Sequence, residues 1–221
     1  MRFSTILFFF MLAGCSRHGQ LAVRTLSQAE WAALQIRSNE KLATPEWIQG
    51  KLLNLAKIKA ENRADSLLAF MAVNPEIFKL HQPAQELKVK SDRTDELGFQ
   101  HLRFSRLHQN IPIWNDDLVI HINKKGEAYL FNGRYHASQK IVGQAVVSAE
   151  KAAAIALDAA KEKKMDRVDE NEPVWYPAGA SLRLAHHLVL SSENKSWDYF
   201  VAADNGEILY DQDRRRFQMA R

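Results

Sequence analysis

The chain lacks most of the residues and spacings around which enzymes and cofactor proteins are built. A single cysteine, Cys15, excludes an internal disulfide framework and any Cys-rich metal site. There is no Gly-rich phosphate loop, nucleophile elbow or Cys-His arrangement, which removes the usual routes to nucleotide binding and covalent catalysis. Long apolar runs are missing too. The stretch Phe3 to Ala13, interrupted by Ser4 and Thr5, is shorter than the roughly 20 residues that cross a hydrocarbon layer of about 30 Å as a helix. Charge of one sign is nowhere massed: Lys and Arg are interspersed with Asp and Glu, leaving a net +4 over 221 residues. That distribution speaks against nucleic acid as a partner. The remaining composition, 46% hydrophobic and 25% charged, is that of a globular chain with room for one large or two small domains.

What the chain does have begins at its first residues. Met1-Arg2, a short greasy core and small residues ahead of Cys15 form the pattern of an export signal. The tetrad Leu12-Ala13-Gly14-Cys15 resembles the lipobox of bacterial lipoproteins. That resemblance implies loss of residues 1–14, lipid on Cys15 and membrane attachment in a bacterial cell envelope. Each buried methylene of the acyl chains contributes about 0.8 kcal/mol to such an anchor. Ser16 in the second position, rather than Asp, resembles lipoproteins passed on to the outer membrane, facing the periplasm or the surface. Residues 15–44 read as a tether and a short helix, with Ser27 and Glu30 in capping-box spacing ahead of Trp31 and Leu34.

Two cycles of helix followed by strands come next. Ala64, Leu67, Leu68 and Met71 recur at helical spacing until Asn74-Pro75 stops the run. Strands are expected at Leu102–Leu107, Ile111–Trp114, Leu118–Ile122 and Ala128–Phe131, with turns at Gln109-Asn110, Lys125-Gly126 and Asn132-Gly133. Asp116-Asp117 reads as a solvated turn. Ser148 then caps a helix carrying Ala152, Ile155, Ala156 and Ala159 on one face, with Lys161, Lys163 and Lys164 at its C-terminal end. A charged loop over 162–172 leads to strands at Val174–Tyr176, Leu182–Leu190, Trp197–Ala202 and, past the Asp204-Asn205-Gly206 turn, Ile208–Tyr210. The expected fold class is α+β: two small domains, 45–137 and 148–213, each a helix packed on an antiparallel sheet. A connector at 138–147 joins them and a basic tail follows at 214–221.

Within the first cycle, Leu67-Leu68-Ala69-Phe70, Asn74-Pro75-Glu76-Ile77-Phe78, Asp95-Glu96-Leu97-Gly98, His101-Leu102-Arg103-Phe104, Ile111-Pro112-Ile113-Trp114 and Val119-Ile120-His121 resemble the fungalysin/thermolysin propeptide domain. Within the second, Trp197-Asp198-Tyr199-Phe200-Val201 and Asp204 to Leu209 resemble the PepSY domain that follows it in those zymogens. Where the family usually carries Gly after its Ile-Pro-Val-aromatic segment, this chain has Asn115-Asp116-Asp117, and Asn110 stands where Gly is common. The His-Glu-x-x-His helix that holds zinc in the enzymes is absent. The resemblance therefore implies a propeptide without its protease: a non-catalytic module that binds a thermolysin-like metallopeptidase in trans and inhibits it or helps it fold. The alternative expectation is an accessory or structural envelope lipoprotein that binds an unrelated protein or peptide.

No catalytic residue, cofactor or metal ligand is assigned. His186 and His187 are adjacent on a strand and so face opposite ways. His101, His108 and His121 fall on neighbouring strands, where histidines are more often surface or hydrogen-bonded residues than ligands. Trp114, Trp175 and Trp197 read as core residues whose indole N–H finds a partner at the edge. The candidates for contact with a partner are Trp114, Asp116, Asp117 and the run Arg214-Arg215-Arg216, the last normally a frayed tail.

Overall fold

The computed structural model describes residues 23–137, 140–179 and 181–214. Its elements run α1 (Gln28–Ala32), β1 (Gln35–Asn39), β2 (Thr44–Asn54), α2 (Arg63–Ala72), α3 (Pro75–Phe78), α4 (Pro83–Glu86), β3 (Leu87–Thr94), β4 (Gln100–His108), β5 (Ile111–Ile122), β6 (Glu127–Arg134), β7 (Lys140–Val142), α5 (Ala149–Ala159), β8 (Arg167–Ala178), β9 (Ser181–Ser192), β10 (Lys195–Ala202) and β11 (Ile208–Asp213). The class is α+β, with mostly antiparallel pairing.

Strands β1, β2, β6, β5, β4 and β3 lie side by side as one antiparallel set. Its inner face carries Leu102, Phe104, Leu118, Ile120, Ile122 and Phe131, packed against Leu67, Phe70 and Met71 of α2 and Phe78 of α3. Burying each of these side chains contributes about 2 kcal/mol, which is what holds a ten-residue helix too short to persist alone. Asn74 ends α2 as expected: its amide donates to the Phe70 carbonyl at 2.9 Å and its Oδ1 accepts from the Leu26 N–H at 2.9 Å. The Ser27–Glu30 capping box is present at the start of α1.

The second set runs β8, β9, β10, β11, with β7 added parallel to β9. One face takes α5, where Ala152 and Ala156 meet Leu188, Leu190, Tyr199 and Val201. Ala160, rather than the exposed Ala159, completes that stripe. The other face presents Phe200, Ala185 and Val174. Strand β5 joins the two sets, because Ile113 pairs in parallel with Trp175 of β8 while its C-terminal half pairs with β4 and β6.

Four local expectations give way. Ile111–Trp114 and Leu118–Ile122 are halves of one strand, so Asp116-Asp117 is not a turn. Asn132-Gly133 lies inside β6, and the charged stretch expected as a loop enters β8 at Arg167. Strands β1 and β2 fill a region read as tether, helix and unassigned chain.

Candidate partner-binding groove

The site is set by one irregularity in β5. Ser105 of β4 pairs with Asp117 and Leu107 with Pro112, so Ile113 to Asp116 stand opposite Arg106 alone. Asn115 absorbs the extra length at φ 60, a left-handed conformation that Asn tolerates better than most residues. Gln109 and Asn110 likewise have φ 50 and φ 63, the two positive values of a tight hairpin turn. Strand β5 thus carries three residues more than β4 here, an odd number that flips its side-chain parity: Ile113 is buried before Asn115, and Asp116, Leu118, Ile120 and Ile122 after it. Trp114 and Asp117 consequently face the same space, and Asp116 is turned inward.

That space is a groove of about 1250 Å³ between the outer face of β3–β6 and residues of β8 to β11 in the second set. Lys90, Arg93, Arg103, Asp117, His101 and His121 form one wall; Trp114, Pro173, His187, Asp198 and Arg214 belong to the other. Asp117 accepts from Lys90 Nζ at 3.0 Å and from Arg103 at 3.4 Å. Arg93 is exposed and its side chain has no partner among the described residues. On the far wall the Trp114 ring stands 4.6 Å from both His187 and Phe200, and His187 stacks on Phe200 at 4.8 Å. Asp198 is buried beneath them, accepting from His187 Nε2 at 2.8 Å and Gln212 at 2.9 Å, with Arg214 Nε at 3.6 Å. Burial alone would raise the Asp198 carboxyl; these donors outweigh it and hold it below its ordinary value.

The histidines sort by face. His101 Nδ1 and His121 Nδ1 are 2.7 Å apart across β4 and β5, His101 Nε2 donates to Asp95 at 3.0 Å, and His121 Nε2 lies 3.0 Å from Asn132 Oδ1. Burial, then the charge of neighbouring His101, lowers the His121 pKa. His108 is elsewhere, edge-on to Trp175, whose indole donates to the His108 carbonyl at 2.9 Å. His186 and His187 point apart, one to the Val147 carbonyl and one to Asp198. Among the described residues no group of three or more His, Cys, Asp or Glu is placed to hold a metal ion.

Of the sequence candidates, Trp114, Asp117 and Arg214 meet in the groove. Asp116 does not: it is 1% exposed, with Oδ2 accepting from the His136 N–H at 3.0 Å, Oδ1 within 2.9 Å of the His136 ring nitrogen and Arg106 at 3.8 Å. Arg214 is not frayed; its N–H donates to the Ser196 carbonyl at 3.0 Å. Arg215, Arg216 and Cys15 lie outside the described residues. Trp175 is a core residue, and Trp197 donates to Asp211 at 2.8 Å beside Lys163. Lys90, Arg93 and Arg103 escaped notice because scattered cations in a charged sequence give no signal until strand pairing aligns them.

Residues 85–135 match the family described as the Fungalysin/Thermolysin Propeptide Motif, a span that includes β3 to β6. Bacillolysin of Bacillus subtilis (strain 168) is 29% identical over 159 residues, covering 66% of this chain and 30% of that protein. Thermolysin of Bacillus caldolyticus is 29% identical over 185 residues, covering 77% of this chain and 33% of that protein. The chain thus spans about a third of the length of the curated relatives it matches. Among solved structures, the Bacillus megaterium YpeB C-terminal domain aligns over 81% of this chain and 75% of that one, at 13% identity and a TM-score of 0.42.

Proposed function

We propose that this chain is a non-catalytic, propeptide-like module that binds a thermolysin-like zinc metallopeptidase in trans through the groove, either blocking the enzyme or helping it fold. The observation that carries this reading is the coincidence of the propeptide motif with the strands that build the cationic wall and supply Trp114 and Asp117. An aromatic anchor flanked by Arg side chains is the composition of an interface hot spot. The second half of the chain, read as PepSY-like, contributes the wall with His187, Asp198 and Arg214. Lipid on Cys15 would hold the module at an envelope membrane, so that the enzyme meets it at high local concentration.

Two assays with a purified thermolysin-like enzyme test the proposal: activity of the mature enzyme titrated with this protein, and refolding yield of the denatured enzyme in its presence. Stoichiometric loss of activity identifies an inhibitor, and a raised yield identifies a folding aid. Neither effect at saturating protein removes the metallopeptidase as partner.

A further inference from the structure

Resting on the reading of the groove as the partner-binding face, we infer that its occupant is an extended polypeptide segment in which acidic residues alternate with apolar ones. Size comes first. At about 1250 Å³ the groove exceeds the roughly 300–1,000 Å³ of small-molecule pockets, so a stretch of chain fits it better than a metabolite.

Charge then fixes the segment's character. The β3–β4 wall offers Lys90, Arg93 and Arg103 against the single carboxylate of Asp117, which two of those cations already share. Arg93, exposed and unpaired, is left to recognise an incoming carboxylate, for which its planar fork is suited. The opposite wall sets an apolar and aromatic strip, Pro112, Trp114 and Pro173 over buried Ile113 and Val174, beside the polar groups His187, Asp198, Gln212 and Arg214. Its buried acid, Asp198, is engaged by His187, Gln212 and Arg214, which leaves Glu172 as the wall's exposed carboxylate. An extended chain directs successive side chains to opposite sides. Laid between these walls, it would point one set of residues at the cations and the other at Trp114. Acids on the first side and apolar residues on the second satisfy both. Glu172 repels the reverse orientation.

The test uses the full chain and a fluorescein-labelled peptide of alternating Glu and Val, with matched peptides carrying Gln or Lys in place of Glu, and a single-stranded oligothymidylate. The Glu peptide is expected to bind at least about tenfold more tightly than the Gln peptide by anisotropy, with an advantage that shrinks as salt is added. The Lys peptide and the oligothymidylate are expected not to bind. Arg93→Glu combined with Arg103→Glu should weaken binding by at least about tenfold. Lys57→Glu with Lys59→Glu, which change net charge equally at exposed positions outside the groove, should leave it unchanged. Far-UV circular dichroism confirms that each variant is folded. Equal binding of Glu and Gln peptides, equal binding of the oligothymidylate, or equal loss in the Lys57/Lys59 variant overturns the inference. Acidic peptide bound with no response from the metallopeptidase refutes the enzyme partner but not the acidic occupant; metallopeptidase bound with every peptide ignored refutes the occupant alone.

Discussion

The Trp114 indole meets the Phe200 ring at 60° with centroids 4.6 Å apart, so the strand that carries the propeptide motif is packed directly onto the β-set that carries Asp198 and Arg214. Trp114 and Asp117 share a face because β5 carries three residues more than β4 around Asn115; without that odd-numbered insertion they would face opposite ways.

Asn115 at φ 60 sits where a β-branched side chain is strained and glycine is not. Asn115→Val is expected to destabilise the protein by about 2 kcal/mol, while Asn115→Gly stays within about 0.5 kcal/mol of the parent. Urea midpoints at constant slope measure both. Equal stability of the two variants would show that the left-handed residue does not govern the bulge.

Adjacent acids differ in role. Asp116 is 1% exposed beside Arg106 and His136, whereas the Asp117 side chain is 23% exposed on the groove. Removing Asp116 leaves half-buried Arg106 with Glu86 as its remaining carboxylate and takes the acceptor from the His136 N–H. Asp116→Ala should cost about 1–3 kcal/mol, the scale of leaving buried hydrogen-bonding groups, here those of His136, without a partner. Asp117→Ala should cost less than about 1 kcal/mol. Chemical denaturation of both variants decides, and similar losses would contradict the burial of Asp116.

Acid should weaken the fold in two stages. His121 titrates below its ordinary 6.5 when folded, so the unfolded chain takes up that proton first on acidification. Its contribution is complete above about pH 6.5 and is lost as pH falls through that value toward the lower folded pKa. Facing it are His101, Arg103 and Asn132, with Asp95 behind His101. Glu86 and Asp198 follow. Burial opposes their ionisation, but Gln82 and Arg106 for Glu86, and His187 and Gln212 for Asp198, hold both below their ordinary 4.5 and 3.8. Their contributions are present above those values and disappear as pH falls through the folded pKa values. Stability followed against pH should show both declines, and His121→Asn should remove the upper one. Persistence of the upper decline in that variant would exclude His121 as its source.

Cys15→Ala should move the protein from the membrane to the soluble fraction of a bacterial host, read by fractionation. Continued sedimentation with membranes would contradict lipid anchoring.

The sequence made the regular parts legible. Period-two burial at Leu118, Ile120 and Ile122 and the helical stripe of α2 follow from which side faces the core. Strands that bury little left no such trace: β1 has no buried residue, β3 buries Leu87 alone, and the first half of β8 is a run of charges held by pairing with β9. The groove was half readable. Trp114 and Asp117 stood out by residue type, but their common face and the inward turn of Asp116 come from an odd-numbered insertion in β5 that side-chain periodicity cannot show. Lys90, Arg93 and Arg103 become a wall only through the β3–β4 register, a long-range pairing.

Titration calorimetry of this protein into a purified thermolysin-like metallopeptidase addresses the central proposal most directly. A propeptide-like partner predicts an equimolar complex with a binding free energy of about −8 kcal/mol or stronger, abolished by charge reversal at Arg93 and Arg103. Absence of binding heat across temperatures, with no complex on size exclusion, would contradict a metallopeptidase as the partner of this groove.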